Sequence, residues 1–210
     1  MSRLVRYQVA VSLDGFIAGP NGEYDWIVMD PAIDFAALFK EFDTVIMGRK
    51  TYELATAQGG HGAMPGMTVV VFSRTLPPAV HKGVRIVNDD PRDVVKALKA
   101  KPGRDIWLFG GGEMFRSLLT AGVVDTVEVA VMPVLLGSGI PLLPPGATTK
   151  LKLVDQKTLP ASGIVGLSYS ILGGTSPAPR ISYLKPAQSR AKKTARPIKK
   201  KAIKKSKKKR

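Results

Sequence analysis

The sequence predicts an α/β fold: a mainly parallel central sheet flanked by helices, a C-terminal antiparallel hairpin, and a disordered basic tail. Short apolar segments alternate with helical segments along most of the chain, which is typical of parallel sheets. The turn signal Pro160-Ala161-Ser162-Gly163 separates the last two strand-like segments and indicates a hairpin. After residue 174 the apolar pattern stops and lysine accumulates.

The composition divides the chain into two parts. Of the 32 Lys and Arg residues, 17 lie in residues 1–174 together with all 16 Asp and Glu. The other 15 cations lie in residues 175–210, which hold no acid. We therefore expect a nearly neutral domain at 1–174 and a disordered Lys/Pro/Ala-rich tail at 175–210.

Neither a membrane segment nor a thiol site is expected from the composition. No apolar run is long enough to span a bilayer, and the residues after Met1 lead into an alternating strand rather than the apolar core of a signal peptide. The chain has no cysteine, so it has no disulfide and no cysteine metal ligand, and we expect no metal site. These features fit a cytoplasmic protein.

The first half of the chain predicts alternating elements. Residues 4–12 alternate as a strand, and Asp14-Gly15 and Pro20-Asn21-Gly22 follow as turns. Pro31 suits the first position of a helix that carries Phe35, Leu38, Phe39 and Phe42 on one side. Further strands are predicted at 44–47, 67–72 and 84–87, with helices at 49–56 and 91–101.

The second half begins with a strand, 106–109, that runs directly into Gly110-Gly111-Gly112 and then into an amphipathic helix carrying Met114, Phe115, Leu118 and Leu119. A strand is predicted at 126–132, a loop at 133–145, and the hairpin strands at 151–159 and 164–172.

The three glycines before a helix predict an anion cradle. Their backbone N–H groups are accessible, no Cβ blocks close approach, and the helix N-terminus carries a partial positive charge. The natural guest is the diphosphate of a nucleotide. The alternative is that these glycines serve only tight packing.

Two further strand ends carry phosphate-binding residue types. Gly48 is followed by Arg49, Lys50 and Thr51, and another apolar strand is followed by Ser73-Arg74. Ligands of open α/β sheets lie beyond the carboxyl ends of the strands, and arginine matches phosphate oxygens. The three ends together suit a 2′-phosphorylated dinucleotide. The alternative, a solvated loop residue, holds better for each cation alone than for the whole set.

At these positions the sequence resembles the dihydrofolate reductase-like superfamily. The stretches that carry the resemblance are 48–53, 73–74 and 110–112. The opening Ser12-Leu13-Asp14-Gly15-Phe16, the Asp25-Trp26 pair and residues 133–139 are similar to one branch, the reductase domain of bifunctional riboflavin-biosynthesis proteins and its stand-alone relatives. The likeness covers about residues 3–172.

The resemblance implies NADPH as cofactor. Arg49, Lys50 and Thr51 would contact the 2′-phosphate side and pyrophosphate, and Ser73 and Arg74 the 2′-phosphate and adenine. The glycines 110–112 would cradle the pyrophosphate with a cis glycine–glycine bond. The full expected set of cofactor-binding residues is Val9, Ala10, Ile17, Ala18, Gly48, Arg49, Lys50, Thr51, Ser73, Arg74, Gly110, Gly111, Gly112, Glu113, Met114 and Phe115. Core packing accounts equally well for Met114 and Phe115.

Two carboxylates are catalytic candidates by the same resemblance. Asp34 lies near the place of the acid that holds the substrate ring in the folate enzymes, and its alternative role is a helix-dipole residue. Asp14 belongs to the Ser-Leu-Asp-Gly motif, and its alternative role is a turn former. The zinc deaminase signature of the bifunctional proteins is missing, since the chain has only His61 and His81 and no cysteine.

Together these features predict an NADPH-dependent reductase that transfers hydride to a small pteridine-like, pyrimidine-like or carbonyl substrate. The tail at 175–210 is expected to attract DNA or RNA without sequence preference. The alternative is a non-catalytic, nucleoid-associated protein that uses a reductase-like domain as a dimerisation module. The resemblance also makes a homodimer plausible.

Overall fold

The computed structural model of the chain describes residues 3–57, 62–78, 82–172 and 180–185. The strands are β1 Val5–Ser12, β2 Phe16–Ala18, β3 Phe42–Gly48, β4 Thr68–Phe72, β5 Val84–Val87, β6 Asp105–Gly110, β7 Thr126–Met132, β8 Ile140–Pro141, β9 Leu151–Leu159 and β10 Ile164–Ile171. The helices are α1 Phe35–Phe39, α2 Arg49–Ala57, α3 Pro91–Lys99 and α4 Gly112–Thr120. Within these described ranges, no helix has the length and apolar character needed to cross a membrane.

The central sheet has eight strands in the order β5-β4-β3-β6-β1-β7-β10-β9. The first six are mutually parallel, and the hairpin β9–β10 adds two antiparallel strands beside β7. The short strands β2 and β8 form a separate ribbon. The predicted fold class is confirmed, and the parallel strands place the carboxyl ends of β1, β3, β4 and β6 at one edge of the sheet.

Each face of the sheet carries its own apolar core. On one face, helices α3 and α4 bury Val95, Phe115 and Leu118 against the sheet. On the other face, Leu38 of α1 and Tyr52 of α2 pack with Phe42 and Trp107. The second core also contains the segment 180–185, which lies beyond the predicted domain boundary.

The first helix differs from its prediction. It spans only Phe35–Phe39 and begins four residues after Pro31, because Asp34 caps it by accepting a hydrogen bond from the Ala37 backbone N–H at 3.0 Å. Phe42 is not on this helix. It opens β3, where its buried ring stacks with that of Trp107 at 5.4 Å.

The C-terminal boundary also differs. Residues 180–185 were expected to belong to the disordered tail, yet Ile181, Tyr183 and Leu184 are at most 4% exposed and pack in the second core. For these six residues the prediction of disorder is wrong. Their apolar side chains pack on a surface that is distant in sequence, and this burial offsets the conformational entropy that the segment loses. The predicted tail from 186 onward lies outside the described residues.

A buried cation lies in the middle of the sheet. Arg6 in β1 is 1% exposed and pairs with both carboxylate oxygens of Glu128 in β7 at 2.8 Å. It also pairs with Glu41 at 2.5 Å and Asp105 at 3.3 Å, and its guanidinium lies 4.7 Å from the centre of the Phe42 ring. One arginine therefore compensates carboxylates from three separate parts of the chain.

The substitution Arg6→Ala is expected to lower the free energy of unfolding by about 3–5 kcal/mol, because it leaves buried carboxylates without their cation. Chemical denaturation followed by circular dichroism measures the change. Lys96→Ala, at an exposed position of α3, serves as the control and should alter stability by less than about 0.5 kcal/mol. Equal effects of the two substitutions would contradict this account of the cluster.

Candidate functional site

The candidate site lies where two neighbouring parallel strands end and a helix begins after each of them. Strand β3 ends at Gly48 and leads directly into α2, while the adjacent β6 ends at Gly110 and leads into α4. Thr51, in the first turn of α2, lies over the glycine turn. A Cβ added at Gly111 would lie 3.3 Å from Thr51 Oγ1, and one at Gly110 would lie 3.5 Å from Thr51 Cγ2. Side chains at these two positions would fill the space between the turns.

The glycine turn opens α4 without a side-chain cap. Gly111 is the N-cap residue, with φ +90° and ψ 109°, and no side chain accepts a hydrogen bond from the first turn. A positive φ of this size suits glycine and strains other residues. The first N–H groups of α4 therefore have no side-chain acceptor, which suits the binding of an anion.

The expected cis glycine–glycine bond is not found. No cis peptide bond occurs in the parts of the chain that the structure describes. The positive φ of Gly111 makes the sharp change from strand to helix, so the turn is made with trans peptide bonds.

Gly112 has a packing role. A Cβ on Gly112 would lie 2.7 Å from the Pro141 carbonyl oxygen and 3.1 Å from Pro144 Cδ. Arg116 of α4 holds the same segment by donating hydrogen bonds to the Pro144 and Ala147 carbonyls. For Gly112 the tight-packing alternative therefore accounts for the residue, and the segment from 141 to 147 walls one side of the helix start.

A groove of about 740 Å³ lies at the ends of β4 and β5 and the start of α3, and Ser117 of α4 also lines it. It brings together Arg49, which follows β3, and Ser73 and Arg74, which follow β4. Both arginines are exposed. Asp89 and Asp90 line the same groove, and Asp90 caps α3 by accepting from the Arg92 backbone N–H at 2.8 Å.

The cations at the groove are only weakly engaged. Arg49 pairs with Glu53 at 3.3 Å, and both side chains are nearly half exposed. Such a surface pair contributes little and is easily exchanged for another anion. The Ser73 hydroxyl instead accepts hydrogen bonds from the Thr75 and Leu76 backbone N–H groups and shapes the loop. Lys50 is exposed in the first turn of α2.

The residues after the glycine turn divide by burial. Glu113 is exposed in the first turn of α4, where its charge suits the helix dipole. Met114 is half-buried and lies against Gly48 and Gly111. Phe115 is 3% exposed and its ring stacks on Tyr7 at 3.8 Å. Core packing therefore accounts for Phe115, and its expected contact with a cofactor finds no support in this placement.

The residues expected to line the nicotinamide come from β1 and β2. Val9 and Ile17 pack toward the core beneath α4, whereas Ala10 faces the opposite core. Ala18 pairs with Ile140 in the small ribbon. All four are half-buried, and β1 is the direct neighbour of β6.

An aromatic row runs from the glycine turn toward α1. Phe109, which directly precedes Gly110, lies 5.1 Å edge-on from Trp107, and Phe39 lies 5.9 Å from Trp107. Phe35 extends the row, with its ring 6.1 Å from that of Phe39, and both side chains are more than one third exposed. This surface was not predicted from the sequence. Its signal was the alternation of Trp107 and Phe109, which share one face of β6.

Asp14 fastens two loops together. Its carboxylate accepts hydrogen bonds from the Ser12 hydroxyl at 2.6 Å and from the backbone N–H groups of Leu136 and Gly137 at 3.1 and 2.7 Å. The Ser12 hydrogen bond, aided by these N–H groups, holds the pKa of Asp14 below its usual range. The carboxylate is therefore ionised at neutral pH.

Asp34 lies at the start of α1. Besides capping the helix, it pairs with Lys185 at 2.8 Å, and this contact is the main cause of the lowered pKa of Asp34. Like Asp14, it is a proton acceptor rather than a proton donor at neutral pH. Its position at the N-terminus of α1 agrees with the alternative role as a helix-dipole residue.

The family model of the RibD C-terminal domain matches residues 3–164. The uncharacterised protein YyaP of Bacillus subtilis is 34% identical over 179 residues, covering 80% of this chain and 94% of that protein. The riboflavin biosynthesis protein RibD of Mycobacterium tuberculosis is 27% identical over 154 residues, covering 65% of this chain and 44% of that protein.

Solved structures show the same fold. A candidate riboflavin biosynthesis protein of Shewanella sp. PV-4 superposes with a TM-score of 0.69 at 25% identity, covering 81% of this chain and 99% of that one. A deaminase/reductase of Thermotoga maritima that acts on phosphoribosylaminopyrimidines superposes with a TM-score of 0.62 at 14% identity, covering 81% of this chain and 57% of that one.

The substitution Asp14→Ala is expected to release the loop at Leu136 and Gly137, because it removes both carboxylate oxygens that accept their N–H groups. Amide hydrogen exchange should become several-fold faster at these two positions. In the unsubstituted protein, the depressed pKa means that Asp14 stabilises the fold above the ordinary carboxyl pKa of about 4, and this contribution is lost as the pH falls through the lower folded-state value. Asp25→Ala, at an exposed position, is the control; equal exchange rates in both variants would refute the role.

Proposed function

The chain belongs to the RibD C-terminal domain family, and from that premise we propose that it is an NADPH-dependent reductase acting on a small heterocyclic or carbonyl substrate. The observation that carries the proposal is the groove in which Arg49, at the start of α2, converges with Ser73 and Arg74. Because Arg49 follows β3 while Ser73 and Arg74 follow β4, their convergence is a property of the fold rather than of one loop.

The residues present fit a phosphorylated dinucleotide. Space without a Cβ at Gly110 and Gly111, together with the uncapped start of α4, suits a pyrophosphate. The forked donors of Arg49 and Arg74 suit a terminal phosphate such as the 2′-phosphate of NADPH. Asp89 and Asp90 line the same groove and oppose this charge, so the two arginines are needed to make the groove attractive to an anion.

A bound NADPH would supply a hydride for reduction of a C=N or C=O group. The residues of the chain would hold the substrate next to this hydride donor and exclude water. Ala10 on β1 and Phe109 on β6 are half-buried beside the glycine turn, and Phe39 and Phe35 continue the wall. A flat heterocycle would stack on such an aromatic surface.

The two carboxylates take roles that agree with their ionised state. Asp34 is proposed to accept an N–H of the substrate ring at the mouth of the aromatic wall, since its Oδ atoms are acceptors at neutral pH. Asp14 is proposed to act indirectly, by holding the loop at 136–137 against the end of β1. The family relationship favours a pteridine-like or pyrimidine-like ring and a cytoplasmic location.

The double substitution Arg49→Ala/Arg74→Ala is expected to weaken NADPH binding at least tenfold while leaving NADH binding within twofold, because only NADPH carries the 2′-phosphate. Isothermal titration calorimetry measures both affinities. The matched control is Lys150→Ala/Lys152→Ala, which removes the same charge from exposed positions outside the groove. Equal affinity of the unsubstituted protein for NADPH and NADH, or binding of neither, would overturn the cofactor assignment.

The substrate class is identified by testing a panel of candidate compounds for reduction. Dihydrofolate, a dihydropteridine, a ribosylaminopyrimidine and a simple aldehyde are each mixed with the protein, and NADPH oxidation is followed at constant pH. Faster oxidation with the heterocycles than with the aldehyde is expected from the aromatic wall. Oxidation with none of them, in a protein that binds NADPH, would favour the non-catalytic alternative.

The basic tail is proposed to hold nucleic acid by charge alone. Residues 186–210 contain 13 Lys and Arg among 25 residues and no acid. No aromatic residue lies in this segment, so base stacking does not contribute. A reductase carrying this tail could be retained on DNA or RNA without a sequence-specific contact, whereas the nucleoid-associated alternative would place nucleic-acid binding in the folded part.

A chain ending at Lys185 is expected to lose most DNA binding and to keep its NADPH affinity. Fluorescence anisotropy with a labelled duplex should give a log–log salt dependence of about −0.9 per phosphate contact for the full chain and a much flatter one for the shortened chain. DNA binding that survives removal of residues 186–210, without any NADPH affinity, would support the alternative function instead.

A further inference from the structure

The segment Arg180–Lys185, named here the C-terminal strap, lies beyond the residues that match the family domain. It crosses the sheet face that carries the second core. Ile181, Tyr183 and Leu184 are 1%, 4% and 1% exposed. The three apolar side chains of the strap are therefore as deeply buried as those of the strands, although the strap carries no regular element of its own apart from one isolated bridge.

One side of the strap is fastened to β9. Lys157 donates hydrogen bonds from Nζ to the carbonyl oxygens of Ile181 and Leu184. The Ile181 backbone N–H donates to the Asp155 carboxylate at 2.9 Å. Because one lysine binds two carbonyls of this short segment, it fixes the path of the strap across the sheet. Burial of the strap also raises the pKa of the Tyr183 hydroxyl well above its usual value.

The other side of the strap is fastened to the residues that lead into α1. The Asp34 backbone N–H donates to the Tyr183 carbonyl at 2.8 Å, and the Lys185 backbone N–H donates to the Ala32 carbonyl at 3.0 Å. Ile33 and Leu184 form an antiparallel bridge between these hydrogen bonds. The exposed ion pair from Lys185 to Asp34 adds little to this backbone pairing.

Helix α1 has few anchors of its own. It has five residues, of which only Leu38 is buried. A helix of this length is not stable alone and depends on contacts with the rest of the fold. Yet α1 carries Phe35 and Phe39, the exposed part of the proposed substrate wall.

The strap also borders the floor of that wall. Ala10, Ala130 and Gly166 are aligned across β1, β7 and β10. A Cβ at Gly166 would overlap Leu184 Cδ1, so Leu184 fills the space above this glycine. Two strand spacings, about 10 Å, separate this position from Ala10 beside the glycine turn.

We infer that the C-terminal strap is a positioning element for the substrate: it fixes α1, and with it Phe35 and Phe39, relative to Ala10 and the glycine turn. This inference rests on the proposed reductase function. It assigns Leu184 and Lys157 to substrate affinity and not to cofactor affinity, because neither residue touches the groove of Arg49 and Arg74.

The test uses Leu184→Ala in the full chain, with Leu172→Ala as the matched control at an exposed position. Hydrogen exchange read by mass spectrometry should become at least fivefold faster in the peptide covering residues 32–41 and stay unchanged in the peptide covering α4. The control, and a chain ending at Lys185, should match the unsubstituted protein in both peptides. Lys157→Met, which removes the two hydrogen bonds to the strap, provides a second variant if Leu184→Ala does not fold.

The functional readout separates substrate from cofactor. For the compound of the panel that is reduced fastest, the KM is expected to rise about fivefold in Leu184→Ala, with kcat and the Kd for NADPH within twofold of the unsubstituted protein. Unchanged exchange at 32–41, or an equal loss of NADPH and substrate affinity, would overturn the inference. Failure of the unsubstituted protein to bind NADPH would instead overturn the proposed function, and the exchange result would still decide whether the strap positions α1.

Discussion

The absence of side chains at residues 110–112 is the constraint on which the site depends. Parallel strands β3 and β6 deliver two helix starts to the same edge. Gly111 has a positive φ that favours glycine, and a Cβ on it would lie 3.3 Å from Thr51 Oγ1 of α2. At Gly112 the same lack of a Cβ admits the backbone of Pro141. The glycine turn thus sets both the opening between the helices and the wall that closes one side of it.

The two faces of the sheet carry different parts of the proposed reaction. The groove that suits the phosphates lies toward α3 and α4, whereas the aromatic row, α1 and the C-terminal strap lie on the opposite face. Arg6 links the strands between them by compensating Glu128, Glu41 and Asp105 in the buried centre. A rigid sheet of this kind keeps cofactor and substrate walls in a fixed relation.

Local pattern predicted much of this fold. The strands Val84–Val87 and Thr126–Met132 begin and end where the apolar runs do. The convergence of Arg49, Ser73 and Arg74 followed from the rule that ligands lie beyond the carboxyl ends of parallel strands. The limits of α1 were missed because capping by Asp34 overrode the apolar spacing that reaches Phe42. The strap was missed because its three apolar residues show no period, and their partners, such as Gly166, are close only in the folded chain.

The central claim is that one dinucleotide spans the glycine turn and the arginine groove. A crystal structure of the protein with NADP⁺ tests it most directly. The account predicts the pyrophosphate against Gly110, Gly111 and the start of α4, and the 2′-phosphate between Arg49 and Arg74. A dinucleotide held at another edge of the sheet, or one whose 2′-phosphate points away from both arginines, would contradict it.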